Sequence, residues 1–547
     1  MVEQSIRAWP GSALLSLARW HALPDSSLQP CLYVVMIGES PFNFGQTMAN
    51  LSRCVRHHAL RDPDRAALVY EGNTLTYGQL WQRIGRLAGL LLVRGVLPGE
   101  RVALLMKNSA AFVELALAIS HVGAVLVPIN FRLSGDEVDF ILRDSGSVLL
   151  LRDEEFTGHS HAAPAVITLG TAAQSDPTVL APDPGADFTM AQVAQSDLLR
   201  IMYTSGTTDR PKGVMHSYGN FYAKSADHIV TLGLSPRSRL LVVGPLYHVG
   251  AFDLPGVAVL WAGGLLAIQR DFEPAGALRL IERERLTCAW LAPVMTAGLL
   301  AAQAESPADV SSLEWAIGGG EATPASRIHA FAQAFPNARY IDAYGLTETC
   351  GGDTLMEPGR EIEKIGSVGR PLSQVDITIR DDDGVALAAG ETGEVCLRGA
   401  KVTQGYWHAP EKTAACFFGD WLRTGDVGHL DDEGFLFITD RKKDMIISGG
   451  ENIASSEVER AIMELAQIED VAVIGLTDAR WGERPVAVIV LRPGEELSGD
   501  AVRAHCRQRL AAFKAPDRVI FRAALPRSAS GKVLKRELRE LLGGPAS

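Results

Sequence analysis

The chain has 547 residues, too many for a single hydrophobic core, so two or more domains are expected. A hydrophobic fraction of 47% and a charged fraction of 21% are those of an ordinary globular protein. The 52 Lys and Arg residues face 64 Asp and Glu, a net charge of -12, which excludes a general attraction to nucleic acid or to an anionic membrane. Any anionic ligand must be held by local groups.

The first 35 residues lack a clean period, and their apolar part is broken by Arg19 and His21. They read as a disordered tail, or as sequence upstream of a start at Met36, rather than as a targeting peptide. From about Phe42 the pattern becomes regular. "AALVYEGNTLTYGQL" predicts strand, turn, strand and helix. "GERVALLMKNSAAFVELALAISHVGAVLVPIN" predicts strand, helix and strand, with short continuous apolar runs that suit strands covered on both faces. The longest apolar run, Leu254 to Ile268, is shorter than the roughly 18 residues of a membrane span and contains glycines. It is expected to be a buried helix, or a strand and turn, so no transmembrane segment is expected. Further strands are expected at "RLLVVGPLY", "GGLLAIQR", "CAWLAPV", "WAIGGGEA" and "RYIDAYGLTE". The alternation is that of an α/β domain, whose ligands collect at the carboxyl ends of strands. After about Gly366 the pattern changes to antiparallel strands, with a hairpin expected at Asp382-Asp383-Gly384. A domain boundary is expected near Lys443, which leaves 36–442 as the large unit and 443–547 as a small α+β unit. The seven cysteines, Cys31, Cys54, Cys288, Cys350, Cys396, Cys416 and Cys506, are scattered and form no C-x-x-C pair. That argues against disulfides or zinc and for a reducing, cytoplasmic setting.

Chemistry concentrates in a few stretches. "YTSGTTDRPKGV", Tyr203 to Val214, is not a Walker A loop, because Pro211 precedes Lys212 and Gly213 follows it. Its hydroxyls at Thr204, Ser205, Thr207 and Thr208, its glycines Gly206 and Gly213, and its cations Arg210 and Lys212 can still wrap phosphates. Taken alone the stretch reads as a polar turn. "AYGLTET" offers Glu348, a carboxylate suited to Mg²⁺ or to a helix N-terminus. "WLRTGDVGHL" offers Asp426, suited to ribose hydroxyls or to plain turn chemistry. "SASGKVLKREL" offers Lys532, for which a solvated surface position is the ordinary alternative.

Together with "PLYHVGAF", "GGGEATP", "GEVCLRG" and "DRKKDMIISGGENI", these motifs make the chain resemble the adenylate-forming superfamily, and within it the acyl-CoA synthetase and 4-coumarate–CoA ligase branch. The motifs stand in the family's order and span about Phe42 to the C-terminus. The resemblance implies a large multi-sheet N-terminal domain and a small mobile C-terminal domain. It implies two half-reactions. A carboxylate attacks the α-phosphate of ATP to give acyl-AMP and pyrophosphate, then the thiol of coenzyme A displaces AMP. ATP, Mg²⁺, coenzyme A and a small carboxylic acid are the implied ligands, and the resemblance allows a homodimer.

Roles carry over residue by residue as implications of that resemblance. Thr204, Ser205, Gly206, Thr207, Thr208 and Lys212 would hold the β- and γ-phosphates. Gly320, Glu321, Asp342 and Tyr344 would frame the adenine. Thr347 would touch phosphate, and Glu348 would hold Mg²⁺. Asp426 and Arg441 would bind ribose. Lys532 would bridge the substrate carboxylate and the α-phosphate, and His248 would line the channel between acyl site and coenzyme A. Spacing alone favours a satisfied core histidine at 248. Lys443 falls at the family's hinge, with Gly449, Gly450 and Asn452 bordering the coenzyme A channel once the small domain has turned. Asp209 stands where the family has glycine. Asp tolerates left-handed backbone, and Arg210 and Lys212 flank it, so ATP binding is expected to survive.

The acyl pocket is expected along Tyr247, His248, Gly250 and Phe252, the stretch from Trp290 to Val294, Gly318, Gly345 and Cys350. These stretches bring small and apolar residues and no basic one, which favours a medium or long fatty acid, then an aromatic or alicyclic acid. Asp353 would oppose a second carboxylate if it faced the pocket. Two other readings stand beside the ligase: an adenylating enzyme that loads a carrier-protein thiol, and a nucleotide- or acyl-CoA-binding protein without catalysis.

Overall fold

The computed structural model describes residues 50–160, 162, 165–181, 189–204, 211–320, 323–449, 451–478, 480–527 and 532–543. The terminal tail, Asp209 with the rest of 205–210, and Glu321 and Gly450 lie outside them.

Among the described residues the chain forms four sheets. Strands Ala66–Tyr70, Leu265–Ile268, Arg239–Val242, Cys288–Leu291, Trp315–Gly319 and Arg339–Tyr344 lie side by side and parallel in the largest. Antiparallel neighbours close its two edges. The second sheet sets Val166–Leu169, Ser147–Asp153, Arg101–Leu105, Val125–Pro128 and Leu198–Thr204 parallel, and turns back through Lys212–Ser217. Parallel strands need crossovers that cover both faces, and the apolar runs of the sequence meet that need. Helix Ala110–His121 is buried at every residue, as an element hydrophobic all round must be. Helix Tyr77–Val93 starts at a capping box in which Thr76 accepts from the Gln79 amide, satisfying a donor the first turn would otherwise orphan.

The apolar run from Leu254 resolves into a short helix, Val257–Trp261, a glycine turn and strand Leu265–Ile268. The segment before it, Val249–Gly256, is an irregular wide helical turn that the sequence pattern does not announce. The third sheet is antiparallel, as expected, but its hairpin differs. A tight turn does form at 381–384, with Gly384 N–H on the Asp381 carbonyl. Strand Val375–Arg380, however, pairs with Gly393–Gly399, so the return strand starts nine residues beyond the turn. The intervening Val385-Ala386-Leu387 makes only short local pairings. The fourth sheet is built wholly of residues after Lys443: Ile446–Ser448, Glu451–Ile453, Ile468–Asp478, Gly482–Leu491 and Arg518–Phe521. It has apolar clusters of its own, one centred on Ile446 and Ile489, the other on Val488 and Leu538.

Candidate functional site

Thr204 ends one strand of the second sheet and Lys212 begins the next, and the two are paired across the ladder. The proposed phosphate stretch is therefore bounded by a hairpin whose stems are fixed. The segment Gly405–Trp407 lies along the outer stem: Met215 N–H reaches the Gly405 carbonyl, Trp407 N–H reaches Gly213, and Tyr406 bridges Val214. Lys212 Nζ stands 5.1 Å from the centroid of the Tyr406 ring, a cation–π distance. The Tyr406 hydroxyl donates to Glu348 Oε1 at 2.9 Å. One tyrosine thus spaces the loop lysine from the candidate metal-holding acid. Burial, with Glu348 beside it, drives the Tyr406 pKa up, so it donates and does not ionise.

Thr347 and Glu348 sit on a single 3₁₀ turn, Thr347–Thr349, after strand Arg339–Tyr344. The turn is held from behind. His216 Nε2 lies 2.6 Å from the Thr347 carbonyl. Arg200 Nε donates to His216 Nδ1 at 2.8 Å, which puts the histidine proton on Nε2 and aims it at that carbonyl. Burial and the Arg200 charge hold the His216 pKa well below the usual value, so it is a neutral spacer. Arg200 is itself clamped on Asp253, Nη1 to Oδ1 at 2.7 Å and Nη2 to Oδ2. Lys224 Nζ donates to the Asp253 carbonyl at 2.6 Å.

The base and ribose candidates also converge. Asp426 and Arg441 face each other on paired strands, with Arg441 Nε 3.2 Å from Asp426 Oδ1. The Tyr344 hydroxyl donates to Asp426 Oδ2 at 2.7 Å. Asp342, two residues before Tyr344, is buried beneath Thr323, and burial raises its pKa to about 7. Gly320 follows strand Trp315–Gly319 with φ +95°, a conformation that favours glycine.

On the acyl side, Asn108 staples the segment: its Nδ2 donates to the Gly244 carbonyl at 2.9 Å and its Oδ1 accepts from Leu246 N–H at 2.9 Å. His248 Nδ1 accepts the Gly250 N–H at 3.1 Å. Burial, then the charges of Lys532 and Arg200, push the His248 pKa down to about 4, so the ring is neutral at ordinary pH. Gly345 lies against the backbone of Gly351 and Gly352, where a Cβ would stand 2.3 Å from Gly352 N. Cys350 sits in this turn, fully buried, with its thiol pushed up to about 12 by burial.

Several expected pocket residues differ. Phe252 is turned into the core against Phe112. Val294 is 75% exposed at the start of helix Pro293–Glu305 and walls no closed pocket. The Cβ direction of Gly318 points at the Tyr340 ring, so its open side is already filled. Asp353 is buried, accepts from Thr349 Oγ1 and lies 3.5 Å from Lys401 Nζ, so its charge is answered within the protein.

From the C-terminal segment, Lys532 comes close enough to influence His248 electrostatically. Strands Ile446–Ser448 and Glu451–Ile453 form a hairpin that carries Gly449 at its tip and Asn452 opposite Ile447. Trp481 lies over Gly449 and accepts its N–H at 2.7 Å through the Trp481 carbonyl. Lys443 occupies the link between the third and fourth sheets.

No group of three or more His, Cys, Asp or Glu able to hold a metal exists among the described residues. Mg²⁺ needs only one or two carboxylates beside phosphate oxygens, and Glu348, presented on a turn near Lys212, fits that demand. Two open surface hollows, beside Arg270 and beside Arg61, share no residue with this constellation. Sequence reasoning missed Tyr406, His216, Arg200, Asp253 and Asn108. The available signal was charge inside apolar runs, as in "DLLRIMY" and "GAFDLPG", since charged side chains are rarely buried unless paired.

The chain belongs to the AMP-binding enzyme family, whose model matches residues 55–407, and the model for the C-terminal domain of AMP-binding enzymes matches residues 457–532. It is similar to a feruloyl-CoA synthase from an Amycolatopsis species, 37% identical over 487 residues, covering 89% of this chain and 97% of that one. It is also similar to the long-chain-fatty-acid–CoA ligase FadD13 of Mycobacterium tuberculosis, 36% identical, covering 90% and 98%. The structure of the O-succinylbenzoate coenzyme A synthetase MenE from Bacillus subtilis with ATP and magnesium superposes with a TM-score of 0.81 at 31% identity, covering 89% and 98%. Among the described residues no helix is long and apolar enough to cross a membrane.

Proposed function

We propose that the protein is an ATP-dependent acid–CoA ligase that forms an acyl-AMP and then an acyl-CoA. The observation that supports this reading is that the motif residues meet in two groups, Lys212 and Glu348 through Tyr406, and Tyr344 and Arg441 through Asp426, with the charge of Lys532 felt at His248.

In the first half-reaction the substrate carboxylate attacks the α-phosphorus and pyrophosphate leaves. Lys212 and the Thr204 end of the hairpin hold the leaving phosphates. Tyr344, Asp426 and Arg441 fix the nucleoside, so that attack is in line rather than a search. Lys532 meets the charge that builds on the α-phosphate and on the incoming carboxylate, a task for a mobile point charge. Bound Mg²⁺, held by Glu348 and phosphate oxygens, would supply Lewis-acid neutralisation of the phosphates. His248, neutral with its Nδ1 occupied by Gly250 N–H, borders the acyl group without competing for its charge. In the second half-reaction the small domain turns at Lys443, Lys532 withdraws, and the Gly449–Asn452 hairpin borders the coenzyme A thiol as it displaces AMP.

The apolar acyl segment supports a medium- or long-chain fatty acid. A second reading, an aromatic or alicyclic acid, is favoured by the indole of Trp290, which is packed into that segment. The acidic charge and scattered cysteines support a cytoplasmic location, and a homodimer is proposed on family resemblance. The test is incubation with ATP, Mg²⁺, coenzyme A and pooled aliphatic, aromatic and alicyclic acids, read by mass spectrometry. AMP together with a new CoA thioester is expected. Acyl-AMP without thioester would favour the carrier-protein reading, and neither product would favour a binding protein.

A further inference from the structure

Strand Cys288–Leu291 runs beside strand Arg239–Val242, and Trp290 projects from it onto the segment that carries His248. Its ring spans two glycines. A Cβ on Gly244 would stand 2.6 Å from Trp290 Cε3 and Cζ3, at one edge of the indole. A Cβ on Gly250 would stand 2.3 Å from Cζ2 and 2.6 Å from Cε2 and Cη2, at the other edge. Neither glycine has a positive φ, so their backbone conformation is open to any residue. What requires glycine at both positions is room for the ring. The Asn108 staple fixes Gly244, and the hydrogen bond to His248 Nδ1 fixes Gly250, so neither edge can retreat. Trp290 is 7% exposed, and its N–H makes no hydrogen bond among the described residues without being sealed in the core, so it remains open to a ligand.

A space near the acyl-handling histidine is therefore taken by a rigid side chain. With a small residue at 290 it would lie open as a continuation of the pocket. We propose that Trp290 is the specificity-determining residue of the acyl site. Its indole forms the end wall, which favours the second of the two acid classes above over the first: the enzyme takes compact, ring-sized acids ahead of long linear chains, and the indole N–H is a donor for an oxygen on the ring. The assignment rests on the acid–CoA ligase reading above. A flat aromatic wall matches a flat acyl group through offset or edge contact. A long chain would have to displace a ring pinned at both edges, which a close-packed interior resists.

The test uses the full chain with ATP, Mg²⁺ and coenzyme A, and linear acids from hexanoate to octadecanoate beside benzoate, cinnamate and hydroxylated cinnamates. Wild type, Trp290→Ala and Trp290→Phe are compared by kcat/KM for each acid, with ATP-induced thermal shift to verify that each variant is folded. Wild type is expected to prefer the ring acids. Trp290→Ala is expected to raise the octadecanoate-to-cinnamate ratio by roughly ten- to 200-fold, the range that pocket methylenes command. Trp290→Phe keeps the wall and loses the donor, so it is expected to exclude octadecanoate still while losing the preference for hydroxylated over plain cinnamate. A wild type that favours octadecanoate, or a Trp290→Ala ratio within about twofold of wild type, overturns the assignment and leaves the ligase reading standing. Neither AMP nor thioester from any acid overturns the ligase reading, and the assignment with it.

Discussion

Asp342 illustrates the cost of a buried carboxyl at a candidate site position. Burial lifts its carboxyl to about 7, so the folded chain holds the proton more tightly than the unfolded chain does. Its contribution to stability is therefore greatest in acid and is lost as pH rises through about 7. The full displacement corresponds to roughly 4 kcal/mol. Asp342→Asn is expected to melt higher than wild type at about pH 8.5, with the gain shrinking towards pH 5, in paired thermal denaturations; a gain that does not vary with pH would refute the sign. His248 behaves oppositely. With its pKa near 4 it carries no charge change through neutrality. The candidate site residues were legible because the motifs that carry them stand in order along the chain. What was not legible was partnering. Arg200 reaches His216 across 16 positions and Asp253 across 53, separations that no local pattern encodes.

At the level of elements, apolar runs predicted the strands well because parallel strands are covered on both faces, and turn residues marked their ends. The hairpin after Arg380 was misplaced because the Asp-Asp-Gly turn is real but serves a short excursion, and pairing with Gly393–Gly399 is decided by tertiary packing. The turn that bears Thr347 and Glu348 depends on strands Leu198–Thr204 and Lys212–Ser217 through Arg200 and His216. Arg200→Met would leave the Asp253 carboxylate buried without the guanidinium that pairs it. It is expected to cost about 3–5 kcal/mol in denaturant unfolding, and Arg200→Met with Asp253→Leu to recover a large part of that loss. If the double variant is no more stable than the single, the cost comes from packing rather than from the stranded charge.

For the whole molecule, the two family models match separate stretches, 55–407 and 457–532, and the residues after Lys443 carry apolar clusters of their own. Contacts cross that link. Ser455 donates its N–H and Oγ to Asp440, at 2.5 and 2.7 Å, and Ser456 Oγ reaches the Thr439 carbonyl. The turn at Lys443 proposed above would exchange these bonds for others. Lys443→Pro fixes φ in the link, and is expected to leave acyl-AMP formation nearly intact while slowing its conversion to thioester at least roughly tenfold, about 1.4 kcal/mol. Rapid quench of each half-reaction separates the two. Equal loss in both halves would place the hinge elsewhere.

The burial of Cys350 carries a consequence for chemical fidelity. An acyl-adenylate reacts with whatever thiolate it meets, and Cys350 lies in the turn beside the acyl segment. With its thiol at about 12, only about one molecule in 10⁴–10⁵ would carry the thiolate near pH 7.5. The other described cysteines are likewise held at about 11 or 12 by burial. With the acyl site where it is proposed, such burial would keep the protein's own sulfur silent beside an activated acyl group, so that self-acylation would not compete with an incoming thiol.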